Sequence, residues 1–334
     1  MKRHGNLWSQ IIDLDNIKAA HHAARRGKAY YTEVKMVDAD IDLYAKKIQD
    51  LLVNKTFTTS PYEIEQRFDG RKMRTIHKLP YFPDRIVQHA LLNVVGPILT
   101  NSFIRDSFQS IVGRGTSDAM RRVRQLVAEK KPRYALKIDV EKYYPSIDND
   151  LMKAQVRRKI KCADTLWLID DVINSIKGLP IGNYTSQHLG NLYLNPFDWW
   201  MKQEVKPVGY FRYCDDIVVM SNSRNDLVQL CRRMVAKLEA VKLRIKPNWC
   251  IYDVMRDGVN FVGYVFSHKI TKLRKSIAVK FKVACKRIKS PTDSNRSKLM
   301  AYKGWCRPVN AKALWRHNTQ RLQPLFSKQL RNGI

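Results

Sequence analysis

Acidic residues are scarce in this chain. Thirty Asp and Glu face 61 Lys and Arg, a formal net charge of +31 and a pI near 10. A neutral metabolite demands no such surplus. A polyanion does, and nucleic acid is the usual one. Long apolar runs are missing too. The longest, Leu91–Leu99, has Gly96 and Pro97 inside it, far short of the ~20 residues of a membrane-spanning helix. No membrane partner is therefore expected. The start, Met1-Lys2-Arg3-His4, leads into no apolar stretch, so no secretory signal is expected. The six cysteines, at 162, 214, 231, 250, 285 and 306, form no CxxC and no Cys/His ligand spacing, which argues against zinc. Scattered, reduced thiols fit a cytoplasmic protein. His21 and His22 are adjacent and point different ways on a helix, so the pair reads as surface. Gly113-Arg114-Gly115-Thr116 lacks the Gly-Lys-Ser/Thr ending of a phosphate-binding P-loop.

What is present begins with size. A chain of 334 residues, 44% of them hydrophobic, can bury a proper interior and suggests two or three subdomains. The charge is uneven. From Lys269 onward there are 18 Lys and Arg and a single acid, Asp293, the pattern of a surface that tracks a phosphate backbone. Residues 1–60 carry 10 basic and 7 acidic side chains and read as helical packing surface, with Tyr44, Ile48, Leu51 and Leu52 at helical spacing.

Pro61 marks a break. Alternation over 62–65 and 73–78 predicts two strands, with Asp69-Gly70 as their hairpin turn. Asp84 is the expected N-cap of a helix carrying Ile86, Val87, Ala90, Leu91, Val94 and Val95. A helix over Ser117–Lys130 and a strand over Tyr134–Val140 follow. Tyr143–Asp148 turns into the next helix. Gly178–Asn183 is a glycine-bearing loop before a helix over Thr185–Met201. Residues 209–220 read as a strand hairpin, 227–240 as a helix and 260–266 as a late hairpin. Ile277, Phe281, Ala284 and Ile288 form an apolar stripe, with Lys280, Lys282, Lys286, Arg287 and Lys289 on other faces. Pro291–Asn295 is read as a loop. Neither internal repeats nor low-complexity tracts occur.

The chemistry concentrates at Phe211-Arg-Tyr-Cys-Asp-Asp-Ile-Val-Val-Met220. Flanking aromatic and β-branched residues favour strand, and Cys214-Asp215-Asp216 reads as the turn between. Two carboxylates at a rigid tip repel unless a cation sits there, and Mg²⁺ suits one or two carboxylates plus substrate phosphates. Asp139 ends the strand candidate 134–140. If the strands are neighbours, Asp139, Asp215 and Asp216 converge as a two-metal site for phosphoryl transfer requires. Cationic helpers should lie near a triphosphate, and the basic run around Lys72 and Arg74 supplies candidates, Arg74 foremost.

Lys137-Ile-Asp139-Val-Glu-Lys-Tyr-Tyr144-Pro-Ser-Ile-Asp148 resembles the first catalytic motif of reverse transcriptases, and Tyr213-Cys-Asp-Asp216 resembles their YxDD box. Arg74, Leu79-Pro80 and Asp84-Arg-Ile-Val-Gln-His-Ala-Leu91 resemble the fingers of the group II intron-like branch. Phe261-Val-Gly263-Tyr264 resembles the primer grip. The resemblance covers about 62–266 in family order. It implies an α+β right hand: a helical extension over 1–60, fingers over 61–133, a palm over 134–267 with finger-side helices at 150–178, and a basic thumb over 268–334. It further implies catalysis by Asp139, Asp215 and Asp216, with two Mg²⁺ (or Mn²⁺) held by Asp139, Val140, Asp215 and Asp216. Lys72, Arg74, Tyr144, Ile181, Gly182 and Gln187 would bind the dNTP, Tyr144 as the steric gate against a ribose 2′-OH. Lys280, Lys282, Lys286, Arg287 and Lys289 would bind nucleic acid.

The run Leu179-Pro-Ile181-Gly182-Asn-Tyr-Thr-Ser-Gln187 departs from the common pattern. Ile181 stands where most of the family has Gln, and Gln187 where most has Pro. This variant resembles reverse transcriptases of diversity-generating retroelements. That resemblance implies error-prone, adenine-mutagenic cDNA synthesis from a template-repeat RNA, with a DNA or RNA primer, dNTPs and a small basic accessory protein oligomer as partners, in a bacterial or phage-encoded setting. A phage-defence reverse transcriptase of the abortive-infection type shares the palm motifs. A non-enzymatic RNA-binding scaffold with a relic palm is the alternative of another class. A group II intron maturase fits less well, since no Cys-rich or endonuclease module follows.

Overall fold

A computed structural model describes residues 3–68 and 72–326. Two strands, β1 (Glu63–Phe68) and β2 (Met73–Lys78), pair antiparallel as a ribbon, with Phe68 opposite Met73. The expected Asp69-Gly70 turn lies outside the described residues. The central sheet has five strands, β3 (Ser107–Phe108), β4 (Tyr134–Asp139), β5 (Gly209–Tyr213), β6 (Asp216–Ser221) and β7 (Cys250–Asp253), in the order β3-β5-β6-β4-β7. Strand β4 runs antiparallel to both β6 and β7. A third sheet joins β8 (Val259–Phe261), β9 (Tyr264–Phe266) and β10 (Thr271–Leu273) as an antiparallel meander.

Period-two alternation assigns the faces of the central sheet. Leu136, Ile138, Tyr210, Ile217 and Val219 join the large core with the helices Asn149–Arg157, Ser186–Tyr193 and Arg224–Glu239. Ala135, Phe211, Val218 and Met220 face a second core with the helix Thr116–Lys130 and the β8–β9 hairpin. Both faces are covered, which explains why β4 and β6 read as nearly unbroken apolar runs. Lys137, Asp139 and Asp216 share the parity of this second face and lie at its open edge.

The N-terminal helix Leu14–Ala24 packs on the helix Ile86–Thr100, and the helix Ile41–Val53 packs on Leu14–Ala24 in turn. Here His21 departs from the surface reading. It is 1% exposed, with Nε2 2.8 Å from Asp38 and Nδ1 2.8 Å from the Tyr81 hydroxyl. His22 is the exposed member of the pair. Asp84 does not cap its own helix. It is fully buried and accepts from the Ser60 N–H (2.9 Å) and hydroxyl (2.7 Å), tying the chain before β1 to the helix after β2. The expected helix over 185–201 is broken at Leu194 into Ser186–Tyr193 and Asn195–Trp200, followed by a π turn, Met201–Val205. Pro196 in the first turn of the second piece has no N–H to continue the ladder. Asp293–Asn295 is helical rather than loop, since Thr292 caps the helix Asp293–Cys306 through its side chain.

The C-terminal segment is three helices, Lys275–Arg287, Asp293–Cys306 and Lys312–Thr319, around a small core of Phe281, Cys285, Ile288, Leu299, Trp315 and Phe326. Phe281 stacks on Trp315 at 5.4 Å. No helix among the described residues is long and apolar enough to cross a membrane.

Candidate active site

The β5–β6 hairpin closes through Cys214 and Asp215 alone, because Tyr213 pairs with Asp216. Asp216 is thus the first residue of β6 and not part of the turn. Cys214 takes φ 58°, a left-handed conformation that non-glycine residues adopt at a cost. The turn is supported from below by Arg212, fully buried in β5. Its guanidinium donates to both Asp198 oxygens (2.6 and 2.8 Å), to Asn191 Oδ1 (3.1 Å) and to the Cys214 carbonyl (3.0 Å). Tyr210 donates to the same carboxylate at 2.6 Å. The carbonyl preceding Asp215 is thereby fixed by a buried charge.

Strand register places Asp139 directly opposite Asp216, and the Val140 N–H donates to the Asp215 carbonyl at 3.2 Å. Register and turn thus set Asp139, Asp215 and Asp216 at one strand end. Like charges opposite one another destabilise a sheet, and two lysines offset this. Lys246 pairs with Asp139, while Lys137 donates to both Asp216 oxygens at 2.8 and 2.9 Å and to the Asn260 carbonyl at 3.0 Å. Burial and then the Asp139 charge raise the Asp215 carboxyl above the usual range; burial raises Asp216 against the pull of Lys137.

A divalent cation fits this donor set. Asp139, Asp215 and the neighbouring Val140 main chain offer hard oxygen ligands, and Asp215 lies in the field of another carboxylate that a cation would relieve. Asp216 is engaged with Lys137. Among the described residues no three His, Cys, Asp or Glu side chains form a ready metal cage, consistent with Lys246 and Lys137 holding two of the carboxylates.

Tyr144 lies on the short helix Tyr143–Ser146, its hydroxyl 3.4 Å from Cys214 Sγ. Burial pushes that hydroxyl well above the usual phenol range. The ring fits because residue 190 is glycine: a Cβ there would lie 3.1 Å from the Tyr144 ring. Ile181 and Gly182 cross β2. The His77 N–H donates to the Ile181 carbonyl at 2.8 Å, and a Cβ on Gly182 (φ 133°) would sit 2.3 Å from the His77 carbonyl. The β1–β2 ribbon, with Lys72 and Arg74 exposed on it, is thus joined to the glycine loop. Gln187 is exposed and pairs with Ser110.

Phe261 and Tyr264 flank a two-residue turn of Val262 (φ 41°) and Gly263 (φ 87°), the twist a tight hairpin needs. A Cβ on Gly263 would meet the Trp305 ring at 2.4 Å, and Tyr264 donates to the Trp305 carbonyl at 3.2 Å. Lys280, Lys282, Lys286, Arg287 and Lys289 are all exposed, around the buried stripe of Phe281 and Ile288. Sequence reasoning missed three participants. Lys137, two residues before Asp139 on one strand, is legible from alternation. Lys246 comes from a loop with no periodic signal, and Arg212 reads as an ordinary strand charge.

A family model described as reverse transcriptase (RNA-dependent DNA polymerase) matches residues 67–266. Protein YkfC of Escherichia coli (strain K12) is 26% identical over 233 residues, 56% of this chain and 61% of YkfC. Apo telomerase from Candida tropicalis superposes with a TM-score of 0.53 at 12% identity, covering 82% of this chain and 58% of the telomerase. Telomerase from Candida albicans, in complex with a TWJ fragment of telomeric RNA, gives 0.53 at 10% identity over 84% and 58%. The chain thus spans about three fifths of each. At such identities the telomerases speak for the fold, and they bear out the expected α+β right-hand architecture. The family match takes in both strands that carry the carboxylates, and the chain belongs to the reverse transcriptase (RNA-dependent DNA polymerase) family.

Proposed function

We propose that this protein is an RNA-directed DNA polymerase whose nucleotidyl transfer centres on Asp139 and Asp215. The observation that carries the reading is the convergence of three carboxylates at one strand end, balanced by Lys246 and Lys137. When bound there, two Mg²⁺ (or Mn²⁺) would activate the primer hydroxyl and neutralise the leaving phosphates. Asp139, Asp215 and the Val140 carbonyl hold the site, and Asp216 orients it through Lys137. Tyr144 excludes a 2′-OH beside the incoming sugar. Lys72 and Arg74 neutralise the triphosphate, and Ile181, Gly182 and Gln187 line the nascent pair. Phe261, Gly263 and Tyr264 hold the primer end, and the lysines around Lys280–Lys289 follow the template–primer backbone. In this reading the fingers are 61–133, the palm 134–267 and the thumb 268–334, with RNA template, DNA or RNA primer and dNTPs as ligands.

Primer extension tests it. Asp215→Ala should lower Mg²⁺-dependent dNTP incorporation by about a thousandfold or more while RNA binding persists. Incorporation within tenfold of the parent would refute the assignment.

The finer reading is synthesis for a diversity-generating retroelement, with a basic accessory protein as partner. Ile181 supports it. Its carbonyl is already bound by His77, so the side chain is what varies, and an alkyl group fills space where Gln would add a polar constraint on pairing. Ile181→Gln should reduce misincorporation opposite template adenine several-fold, measured by sequencing the products. An unchanged spectrum would favour a phage-defence enzyme with the same palm.

A further inference from the structure

A cavity of about 680 Å³ with a basic rim lies away from the carboxylates, between the helix Asn149–Arg157 and the broken helix over 186–205. Its rim carries Arg3, Arg158 and Lys159, and among the described residues no carboxylate lines it. Burial and the adjacent Arg158 lower the proton affinity of Lys159, a cationic cluster that favours an anion. Trp199 forms an apolar wall. Its ring is fixed by Nε1 donating to the Ser102 carbonyl at 2.8 Å, and 39% of the residue stays exposed. Two amide oxygens complete the set. Asn195 is 5% exposed and Gln155 half-buried, and the Oδ1 of one and Oε1 of the other are buried without a hydrogen-bond partner. Gln155 Nε2 donates to the Tyr193 carbonyl at 3.1 Å and Asn195 Nδ2 to Ser102 Oγ at 3.4 Å, so only the oxygens lack partners. Unpaired buried acceptors are costly, and a donor reaching them would relieve that cost.

A planar apolar wall, amide acceptors and a cationic rim with no acid match one kind of ligand: a nucleotide whose base stacks and carries an amine, and whose phosphate meets the rim. We propose that this cavity captures one nucleotide of a single-stranded nucleic acid, its base against Trp199, its amine on Asn195 and Gln155, and its phosphate on Arg158, Lys159 and Arg3. The site holds a strand outside the polymerase cleft, and its ligand chemistry is argued independently of the catalytic reading.

The test uses the full chain labelled with 5-fluorotryptophan, the Trp199 resonance being identified by its loss in Trp199→Phe. Titration with AMP or CMP should move this resonance saturably, and comparison of AMP with dAMP tells an RNA from a DNA source. The shift should be lost in Arg158→Glu/Lys159→Glu. In that double variant, binding of a twelve-residue oligoadenylate should weaken, with a salt slope shallower by about 1.4. Trp199→Ala should weaken it by about 5- to 100-fold. A Trp199 resonance unmoved by AMP, CMP and oligoadenylate overturns the proposal, as does one moved by an acidic peptide instead. Asp215→Ala should leave the shift intact, so a failed polymerase reading and a failed pocket give different results.

Discussion

Charge is handled in opposite ways at the centre of the molecule and in its C-terminal segment. Beneath the Cys214-Asp215 turn, Arg212 and Asp198 are both fully buried, and the Arg212 guanidinium reaches five acceptors on three residues. Among the described residues beyond Lys269 most cations stand on the surface around a core of a few side chains, and from Lys269 onward the sequence sets one acid against 18 bases. A buried ion pair contributes little net stability but fixes geometry, because separating its partners is costly. An exposed cation contributes little to folding and keeps its charge for a partner. The centre therefore fixes the turn that carries Asp215, while the C-terminal segment leaves its charge at the surface.

The largest effect should follow from removing one half of the buried pair. Arg212→Met leaves Asp198 charged and unpaired and releases the Cys214 carbonyl. We expect a loss of about 3–5 kcal/mol in chemical denaturation. The double variant Arg212→Met/Asp198→Leu should recover much of that stability but not activity, because the turn carbonyl stays unheld. A single variant as stable as the parent would show that the pair is not what fixes the turn.

Proton linkage gives the next contrast. His89, 8% exposed and stacked on Tyr184 at 3.7 Å, is pushed down to about 4 by burial and by Arg85 and Lys28. His21 and His188 are also shifted down, chiefly by burial. Such groups stay neutral in the folded protein and charge readily once unfolded. Their stabilisation is complete above pH 6.5 and is lost as pH falls toward 4; His89 alone accounts for about 3 kcal/mol. Denaturation at pH 7.5 and 5.0 should show this fall, and His89→Phe, which keeps the stack and cannot titrate, should flatten it. Over the same interval RNA affinity of the folded protein should change less than stability.

The β1–β2 ribbon, strands β4 to β6, the β8–β9 hairpin and the neighbouring placement of Asp139 with Asp215 and Asp216 were legible because alternation and turn chemistry are local signals, whereas β3, β7 and β10 were not expected. Lys137 was missed although the same alternation, two residues from Asp139, would have found it. What else escaped depends on partners distant in sequence. His21 is buried because Asp38 and Tyr81 complete its hydrogen bonds. Asp84 turns to Ser60 rather than to its own helix. Lys246 reaches Asp139 across 107 residues. In each case a polar side chain that local rules place at a surface or a cap finds a better satisfied position in the tertiary structure.

The smallest effect on folding, and the clearest on binding, should come from the C-terminal segment. Lys280 and Lys286 are exposed on the helix Lys275–Arg287, so replacing both with Gln should change stability by no more than about 0.5 kcal/mol. For each phosphate no longer neutralised, the dependence of log affinity on log salt should become shallower by about 0.9 on a duplex. A filter-binding series with a primer–template duplex between low and physiological salt should therefore show a slope reduced by about 1.8, with affinity falling most at low salt. The same slope in parent and variant would mean that these lysines do not meet the backbone. A matching loss of stability would mean that the segment uses its charge for folding, and the contrast with the buried centre would fail.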